Sequence, residues 1–435
     1  MKYYSTNKKA PLASLEDAVI KGLAPDKGLY MPEKISKLPV AFYHNIDEMS
    51  LQEIAFVVAS EFFGEDVESR KLRDIVYETL NFDIPLVKVT DNILSLELFH
   101  GPTAAFKDVG GRFMARLLNY FIGKCSNNKE VNVLVATSGD TGSAVANGFF
   151  RVPGINVYVL YPKGKVSEIQ EKQFTTLGGN ITAIEVDGTF DDCQRLVKDA
   201  FMDKELNDKM FLTSANSINV ARFLPQSFYY FYAYAQYKKM GYEDMPVFCV
   251  PSGNFGNLTA GLFAKKMGLP IKYFIAANNR NDIFLEYLTT GSYVPRDSVQ
   301  TIANAMDVGN PSNFARIIDL YNNNYTDICN DIKGVSYSDD EIRHTLANTY
   351  ENENYLLDPH GACGFQALKD KLENGEHGIF LETAHPAKFK DTVEPIIGQP
   401  VEMPKTLKAF MNGVKITDEL PASFALFKEY LLGKL

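Results

Sequence analysis

The sequence lacks the cysteine and histidine patterns of a disulfide framework or a metal site. Its five cysteines are scattered with no C-x-x-C pair, and its six histidines include no H-E-x-x-H pattern. An odd number of dispersed cysteines is typical of a chain in a reducing compartment. The sequence therefore predicts a cytosolic protein without a protein-bound metal.

Long apolar runs and an excess of basic residues are also missing. No run approaches the ~20 residues of a membrane span, and residues 1–5 lack the order of a secretory signal. Forty-four Lys and Arg against 54 Asp and Glu give a formal charge of −10. Such a chain has no general attraction for nucleic acid or for an anionic membrane. We expect a small-molecule substrate in a local site, with neither nucleic acid nor a membrane as partner.

The composition is that of a folded globular chain. Hydrophobic residues make up 46% of the 435 residues, and there are 30 Phe and 23 Tyr. At roughly 150 residues per domain, this length predicts two or three domains. Residues 1–90 are predicted to form a mostly helical N-terminal domain. Ser50 and Glu53, for example, have the spacing of a helix-capping box.

Beyond residue 90, short apolar runs alternate with amphipathic helices. Continuous apolar runs are typical of strands buried on both faces, and the interleaved helices indicate βαβ units. The predicted class is α/β with parallel or mixed sheets, in a first lobe over residues 91–240 and a second over 241–435. The predicted strands lie at residues 133–136, 157–161, 181–186, 247–250, 273–276 and 379–381.

Two strand-to-helix corners resemble each other. One reads S-G-D-T-G at residues 138–142, and the other reads S-G-N-F-G at residues 252–256. We interpret them as corresponding corners of two similar α/β lobes that face each other. In the second corner, glycines let the main chain approach an anion, and a helix starting near Leu258 offers unpaired N–H groups. This pattern favours a phosphate, with a plain tight turn as the alternative.

Lys107 lies just before a predicted helix with one apolar face. A lysine at a helix N-terminus has the wrong charge for the helix dipole, which favours its neutral amine. A neutral amine is what Schiff-base formation requires. The alternative is an ordinary exposed lysine with a partly buried stem.

Further polar groups follow two of the predicted strands, and another cluster lies at residues 216–222. The hydroxyls of the 138–142 corner suit a carboxylate or phosphate, or serve as ordinary helix caps. Asn216, Asn219 and Arg222 place two amides beside a guanidinium that can bind an anion through two hydrogen bonds. Their alternative is a polar helix cap. Thr383 follows the 379–381 strand, where ligands bind in open α/β sheets.

Together these motifs resemble those of the threonine synthase family, fold-type II (tryptophan synthase β-like) enzymes that use pyridoxal 5′-phosphate. The motifs extend from Gly22 to Phe389 and are similar to the longer branch of the family, which has a distinct N-terminal domain. Lys27 stands where the family usually has glycine, outside the expected chemistry. The matching segments are GLAPDKGLYMP, HGPTAAFKD, ATSGDTGSA, NSINVARFLPQ, PSGNFGNLTAG and TAHPAKF.

The resemblance implies roles for individual residues. Lys107 would form the Schiff base with the cofactor, and Thr383 would bond its pyridine nitrogen. Asp140 stands where many relatives carry Asn, so its role toward the cofactor's ring oxygen is open. The implied ligands of the cofactor phosphate are Gly253, Asn254, Phe255, Gly256 and Asn257. The implied substrate-binding residues are Thr103, Ser138, Asp140, Thr141, Asn216, Asn219 and Arg222.

The implied reaction converts O-phospho-L-homoserine and water to L-threonine and phosphate, the last step of threonine biosynthesis. The nearest alternative is a related fold-type II lyase, such as a serine/threonine dehydratase or a phospho-lyase. A dehydratase substrate has no phosphate to hold, so the anion-binding cluster at 216–222 argues against that alternative. A non-enzymatic anion-binding protein would be expected to have lost the lysine or the phosphate corner, and both are present. The sequence leaves open whether the enzyme is a monomer or a dimer.

Overall fold

The computed structural model describes residues 1–124 and 130–434. No helix among these residues is long and apolar enough to cross a membrane. Four of the five cysteines are described and are free thiols, whereas Cys125 lies outside the described residues. The strands in this part of the chain are β1 Lys2–Ser5, β2 Ala13–Ser14, β3 Tyr30–Pro32, β4 Leu86–Lys88, β5 Ile93–Glu97, β6 Val131–Ala136, β7 Ile155–Pro162, β8 Ile181–Asp187, β9 Phe211–Ser214, β10 Val247–Pro251, β11 Phe274–Asn278, β12 Ile332–Ser336, β13 Gly378–Glu382 and β14 Asp418–Pro421.

Helices occupy much of the remaining chain. Four further short 3₁₀ helices occur, among them Asn304–Met306 and Pro386–Phe389, in the same described ranges. The α-helices are α1 Leu15–Lys21, α2 Val40–Asn45, α3 Leu51–Phe63, α4 Ser69–Thr79, α5 Lys107–Lys124, α6 Asp140–Phe149, α7 Glu168–Thr175, α8 Phe190–Met202, α9 Lys204–Lys209, α10 Val220–Phe223, α11 Ser227–Lys239, α12 Gly256–Lys266, α13 Ile283–Thr290, α14 Phe314–Leu320, α15 Tyr325–Asp331, α16 Asp339–Glu353, α17 Pro359–Lys371, α18 Lys390–Ile397, α19 Lys405–Met411 and α20 Phe424–Leu432.

The chain divides into two compact units that alternate along the sequence. The first unit comprises Met1, Met31–Phe106 and Phe223–Glu402. The second comprises the described residues of Lys2–Tyr30, Lys107–Arg222 and Met403–Leu435. Each unit contains its own α/β sheet and its own buried core. The division at residues 90 and 240 that we expect from the sequence stays a prediction.

The sheet of the first unit has the order β12-β11-β10-β13-β5-β4. Only β4 is antiparallel to its neighbour, and the other strands are parallel. Because β10 and β13 are parallel neighbours, their carboxyl ends lie at the same edge of the sheet. The sheet therefore brings the segment after Pro251 and the segment after Glu382 to one edge.

The sheet of the second unit is parallel throughout and has the order β14-β8-β7-β6-β9. Its side chains pack with helices α8 and α20 in one apolar cluster. Strands β6 and β9 are neighbours and end at Ala136 and Ser214. The 138–142 corner and the 216–222 segment consequently start from the same edge of this sheet.

The six strands predicted from apolar runs are all present, as is the capping box of Ser50 and Glu53. The predicted helix after the second corner begins at Gly256, two residues earlier than Leu258. Eight strands in the described residues are additional to the prediction, namely β1, β2, β3, β4, β5, β9, β12 and β14. Several of them are short or contain polar residues, such as F-L-T-S in β9, so they lack the continuous apolar run.

Helices α5 and α6 approach each other closely in the second unit. A Cβ atom on Gly148 would lie 2.7 Å from the carbonyl carbon of Gly111. A Cβ atom on Gly111 would lie 2.7 Å from the carbonyl oxygen of Ala144. Backbone therefore contacts backbone at this crossing, and only glycine fits at either position. The crossing sets the position of α5 relative to the corner that begins α6.

We expect Gly148→Ala to force these two helices apart. Overpacking of this kind costs about 1–3 kcal/mol, which would lower the thermal midpoint measured by circular dichroism. Gly123→Ala is the matched control, because Gly123 lies in α5 and an added Cβ atom there would meet nothing within 4 Å. Its midpoint should stay the same or rise, since alanine is favoured in helices. Equal midpoints for both variants would contradict a close crossing.

Candidate active site

Lys107 is the first residue of helix α5, as the sequence predicts. Gly110 lies one turn further along on the same helix face. A Cβ atom on Gly110 would lie 2.5 Å from the backbone oxygen of Arg222 and 3.2 Å from its Nε. The Arg222 side chain is buried, and its Nη1 donates to the carbonyl of Ala215. The face of α5 that carries Lys107 thus packs against a buried guanidinium.

The side-chain amides of Asn216 and Asn219, which precede Arg222, donate to backbone carbonyls at the ends of strands β6 and β9. Asn216 donates from Nδ2 to Ala136 O, at the end of β6, over 3.4 Å. Asn219 is fully buried and donates from Nδ2 to Val19 O (2.8 Å) and Ser214 O (3.3 Å). Both N–H groups of Asn219 therefore face backbone carbonyls, so this residue supports the turn. Its contact with substrate stays a prediction.

The first corner is fixed by a threonine just before it. Thr137 Oγ1 accepts the N–H groups of Gly139 (2.9 Å) and Gly142 (2.8 Å). Asp140 is buried and accepts a hydrogen bond from Gln170 Nε2 at 2.9 Å. The neighbouring residues 138 and 141 are half-buried. Ser138 and Thr141 are consequently less buried than Asp140 in this corner.

A short backbone pairing in the first unit leads directly to Lys107. The N–H of Phe106 donates to Thr383 O over 2.9 Å, and the N–H of His385 donates to Ala104 O over 3.1 Å. Lys107 is the next residue after this paired segment. Thr383 itself is buried and follows the last residue of β13. The chain therefore ties the residue before the predicted Schiff-base lysine to the backbone of Thr383.

Thr103 also belongs to the first unit, whereas the other predicted substrate residues belong to the second. It is fully buried, and its carbonyl accepts a hydrogen bond from Lys388 Nζ at 2.8 Å. Lys388 is the lysine of the T-A-H-P-A-K-F motif and is itself buried. A buried ammonium thus holds the loop that precedes Lys107.

The predicted phosphate corner has the backbone of an anion-binding loop. Phe255 has a left-handed conformation, with φ of 59°, and caps α12. The first hydrogen bond beyond this cap runs from Thr259 N–H to Phe255 O, so the three preceding N–H groups have no acceptor within the helix. A Cβ atom on Gly253 would lie 2.9 Å from Ala305 O, so the loop runs close against a neighbouring turn.

Asn257 provides the test of whether this loop fits a phosphate. Tyr230 donates its hydroxyl to Asn257 Oδ1 at 2.8 Å, which fixes the orientation of the amide. Asn257 Nδ2 is buried and has no hydrogen-bond partner among the described residues. Leaving a buried donor without an acceptor costs about 1–3 kcal/mol of stability, so binding an acceptor at this position is favourable. A phosphate oxygen satisfies this donor, and the loop therefore fits the expected cofactor.

The buried carboxyl groups of Asp358 and Glu382 form a pair beside the segment that contains Thr383. Asp358 Oδ2 accepts the N–H of Ala384 (3.1 Å), and Asp358 Oδ1 is 2.6 Å from His360 Nδ1. Glu382 Oε1 accepts the N–H of Asp358 at 2.6 Å. Burial, and then the charge of Asp358, raise the pKa of Glu382 well above its ordinary value. The neutral form of Glu382 is therefore favoured, and the carboxyl oxygens of Asp358 accept the N–H groups of Gly361 and Ala384.

Asp358, Glu382, Lys388 and Tyr230 were not predicted from the sequence as supporting residues. The Asp358-Pro359 pair had a usable signal, because Asp followed by Pro at the first helical position is typical of a helix start. Lys388 lies inside the T-A-H-P-A-K-F motif, but the sequence indicated no role for it. Tyr230 had no signal, since it is one of several aromatic residues along α11.

Three models of known protein families match the chain. The family model "Pyridoxal-phosphate dependent enzyme" matches residues 85–380. Two further models, "Threonine synthase N terminus" and "Threonine synthase, C-terminal", match residues 2–80 and 361–431. The threonine synthase of Serratia marcescens is 43% identical over 433 residues, covering 100% of this chain and 99% of the relative.

Two solved structures have the same fold over nearly the whole chain. The crystal structure of threonine synthase from Escherichia coli has a TM-score of 0.93 at 40% identity and covers 100% of both chains. A structure of threonine synthase with bound pyridoxal phosphate from Brucella melitensis has a TM-score of 0.93 at 34% identity, covering 99% of this chain and 98% of that one. The chain therefore belongs to the threonine synthase family of pyridoxal-phosphate-dependent enzymes.

Proposed function

We propose that this chain converts O-phospho-L-homoserine and water to L-threonine and phosphate, with the roles given below for its residues. The observation that carries the proposal is the position of Lys107. It begins α5 and directly follows the segment whose backbone pairs with Thr383. Family membership over the full chain supports the reaction, and the geometry of each unit supports the individual assignments.

The cofactor is assigned to three elements. Pyridoxal phosphate, when bound, withdraws electrons from the α-carbon of an amino-acid substrate. Lys107 would hold it covalently in the resting enzyme, and Thr383 would offer a neutral hydroxyl to its pyridine nitrogen. The phosphate is held by the loop over residues 253–257, because that loop combines helix N–H groups with the buried Nδ2 of Asn257.

The substrate's own phosphate and carboxylate are assigned mainly to the second unit. Arg222 supplies the positive charge, and its burial strengthens a hydrogen bond to an anion. Asn216 and the hydroxyls of Ser138 and Thr141 supply further donors. Thr103 and Asp140 stay assigned to substrate as well, and Asn219 holds the turn from which Arg222 projects.

Proton transfer is assigned to Lys107. As a free amine, Lys107 Nζ would take the proton from the substrate α-carbon and later return one there. The proposed compartment is the cytosol, which the free thiols of the four described cysteines support.

Lys107→Ala should bind pyridoxal phosphate without a covalent bond and lose turnover, because its methyl group can neither attach the cofactor nor move a proton. Borohydride reduction followed by peptide mapping should place the cofactor on Lys107 in the wild type. Lys124→Ala, at the exposed far end of the same helix, is the control and should keep full activity. Labelling of another lysine would refute the assignment.

Arg222→Lys keeps the positive charge but loses the planar fork that matches a phosphate. We expect kcat/KM for O-phospho-L-homoserine to fall by a factor of roughly 30–1000, equivalent to about 2–4 kcal/mol, with cofactor affinity unchanged. Arg195→Lys is the control, since Arg195 makes an exposed ion pair with Asp192 in the same unit. Loss of cofactor with normal substrate saturation would mean that Arg222 serves the cofactor phosphate instead.

Phosphate release from O-phospho-L-homoserine should exceed deamination of threonine by at least ~100-fold in kcat/KM, because a missing charged contact is worth about 3 kcal/mol. Parallel assays of phosphate, threonine and 2-oxobutyrate on one preparation measure this ratio. Similar efficiencies, or 2-oxobutyrate as the main product, would favour a dehydratase.

A further inference from the structure

Arg316 is a fully buried arginine for which the proposed reaction gives no role. It lies in α14 of the first unit and has no exposed surface. Its guanidinium carbon lies 4.0 Å from the centre of the Phe223 ring, and its Nη1 donates to Asn313 Oδ1 at 2.6 Å. Burial lowers its pKa to about 9, so the side chain stays charged at neutral pH. Burying a charge is costly, which suggests that this one has a function.

Asn313 connects this charge to the loop over residues 253–257. It is fully buried, and its Nδ2 donates to Asn254 O at 3.0 Å. Its backbone N–H donates to the same oxygen at 3.3 Å. The N–H of Ser312 also donates to Asn254 Oδ1, at 3.2 Å. Ser312 and Asn313 therefore hold Asn254 through three hydrogen bonds, and Arg316 in turn fixes the side chain of Asn313.

The double hydrogen bond to Asn254 O sets the direction of the next N–H group. The carbonyl of Asn254 and the N–H of Phe255 belong to one peptide, and the described chain contains no cis peptide bond. In a trans peptide these two groups point in opposite directions. Phe255 N–H consequently points away from Asn313, and it has no backbone acceptor among the described residues. The Phe255 N–H is therefore available as a donor on the side of the loop opposite Asn313.

We propose that Asn313 and Arg316 are positioning residues for the cofactor phosphate, because they fix the 254–255 peptide so that Phe255 N–H serves as a donor to that anion. This inference rests on the proposed assignment of the 253–257 loop to the cofactor. Arg316 acts through Asn313, which it orients and polarises, and neither residue takes part in the reaction itself. The positive charge also offsets part of the anion's charge within the protein.

Asn313→Asp and Arg316→Met test this inference directly. The aspartate variant is nearly isosteric and keeps a partner for Arg316, but it loses the side-chain donor to Asn254. Both variants should bind pyridoxal phosphate ~10–100-fold more weakly in a titration of the apoprotein. They should also shift the ³¹P resonance of the bound cofactor, and Arg316→Lys should fall between Arg316→Met and the wild type. Asn324→Ala, which removes an exposed helix cap in the same unit, should change neither quantity.

Three results would contradict either the inference or the loop assignment on which it rests. A wild-type ³¹P resonance and affinity in Asn313→Asp would overturn the inference, even if turnover fell. The inference also fails if the Arg316 variants only lower the thermal midpoint of the apoprotein and leave cofactor affinity unchanged. Gly253→Ala tests the underlying loop assignment separately, because its Cβ would meet Ala305 O at 2.9 Å. If that variant leaves the cofactor phosphate unaffected, the loop assignment itself is wrong.

Discussion

The antiparallel pairing of residues 104–106 with residues 383–385 is the contact on which the proposed chemistry depends. It consists of two backbone hydrogen bonds around one bridge between Ala105 and Ala384. On one side it fixes the carbonyl of Thr383, and on the other it fixes the residue before Lys107. Backbone bonds are independent of side-chain identity, so the pairing positions both groups by main-chain geometry. The N–H of Ala384 is held in turn by the buried carboxylate of Asp358.

The anion sites that we propose are built without surface charge. The chain carries a formal charge of −10, so long-range attraction does not favour an anionic ligand. The proposed donors are helix N–H groups, the Asn257 amide and the buried guanidinium group of Arg222, while the buried guanidinium group of Arg316 acts through Asn313. A buried donor has a stronger electrostatic effect than an exposed one, because water does not screen it. In this proposal, local donors rather than the net charge of the protein bind the two ligands that carry a phosphate, the cofactor and the substrate.

How much the sequence predicted depended on how local each signal was. The six apolar strands, the corner at 252–257 and the helix that begins with Lys107 were readable, because each depends on neighbouring residues in the chain. The burial of Arg316 was not readable, since its partner ring, Phe223, is far away in the sequence. The same holds for Asp358, whose environment is created by the end of β13. Strand β9 was not predicted because its polar residues gain their partners only when the sheet forms.

The raised pKa of Glu382 is consistent with the role proposed for Thr383. Two ionised carboxylates behind Thr383 would create a negative field, which would favour a protonated pyridine nitrogen. Burial and the charge of Asp358 raise the pKa of Glu382, which disfavours a second negative charge in this pair. The carboxyl oxygens of Asp358 face His360 Nδ1 and backbone N–H groups. The buried pair therefore leaves a neutral hydroxyl as the proposed partner of the pyridine nitrogen. In this assignment, the raised pKa of Glu382 limits the negative field at the cofactor ring.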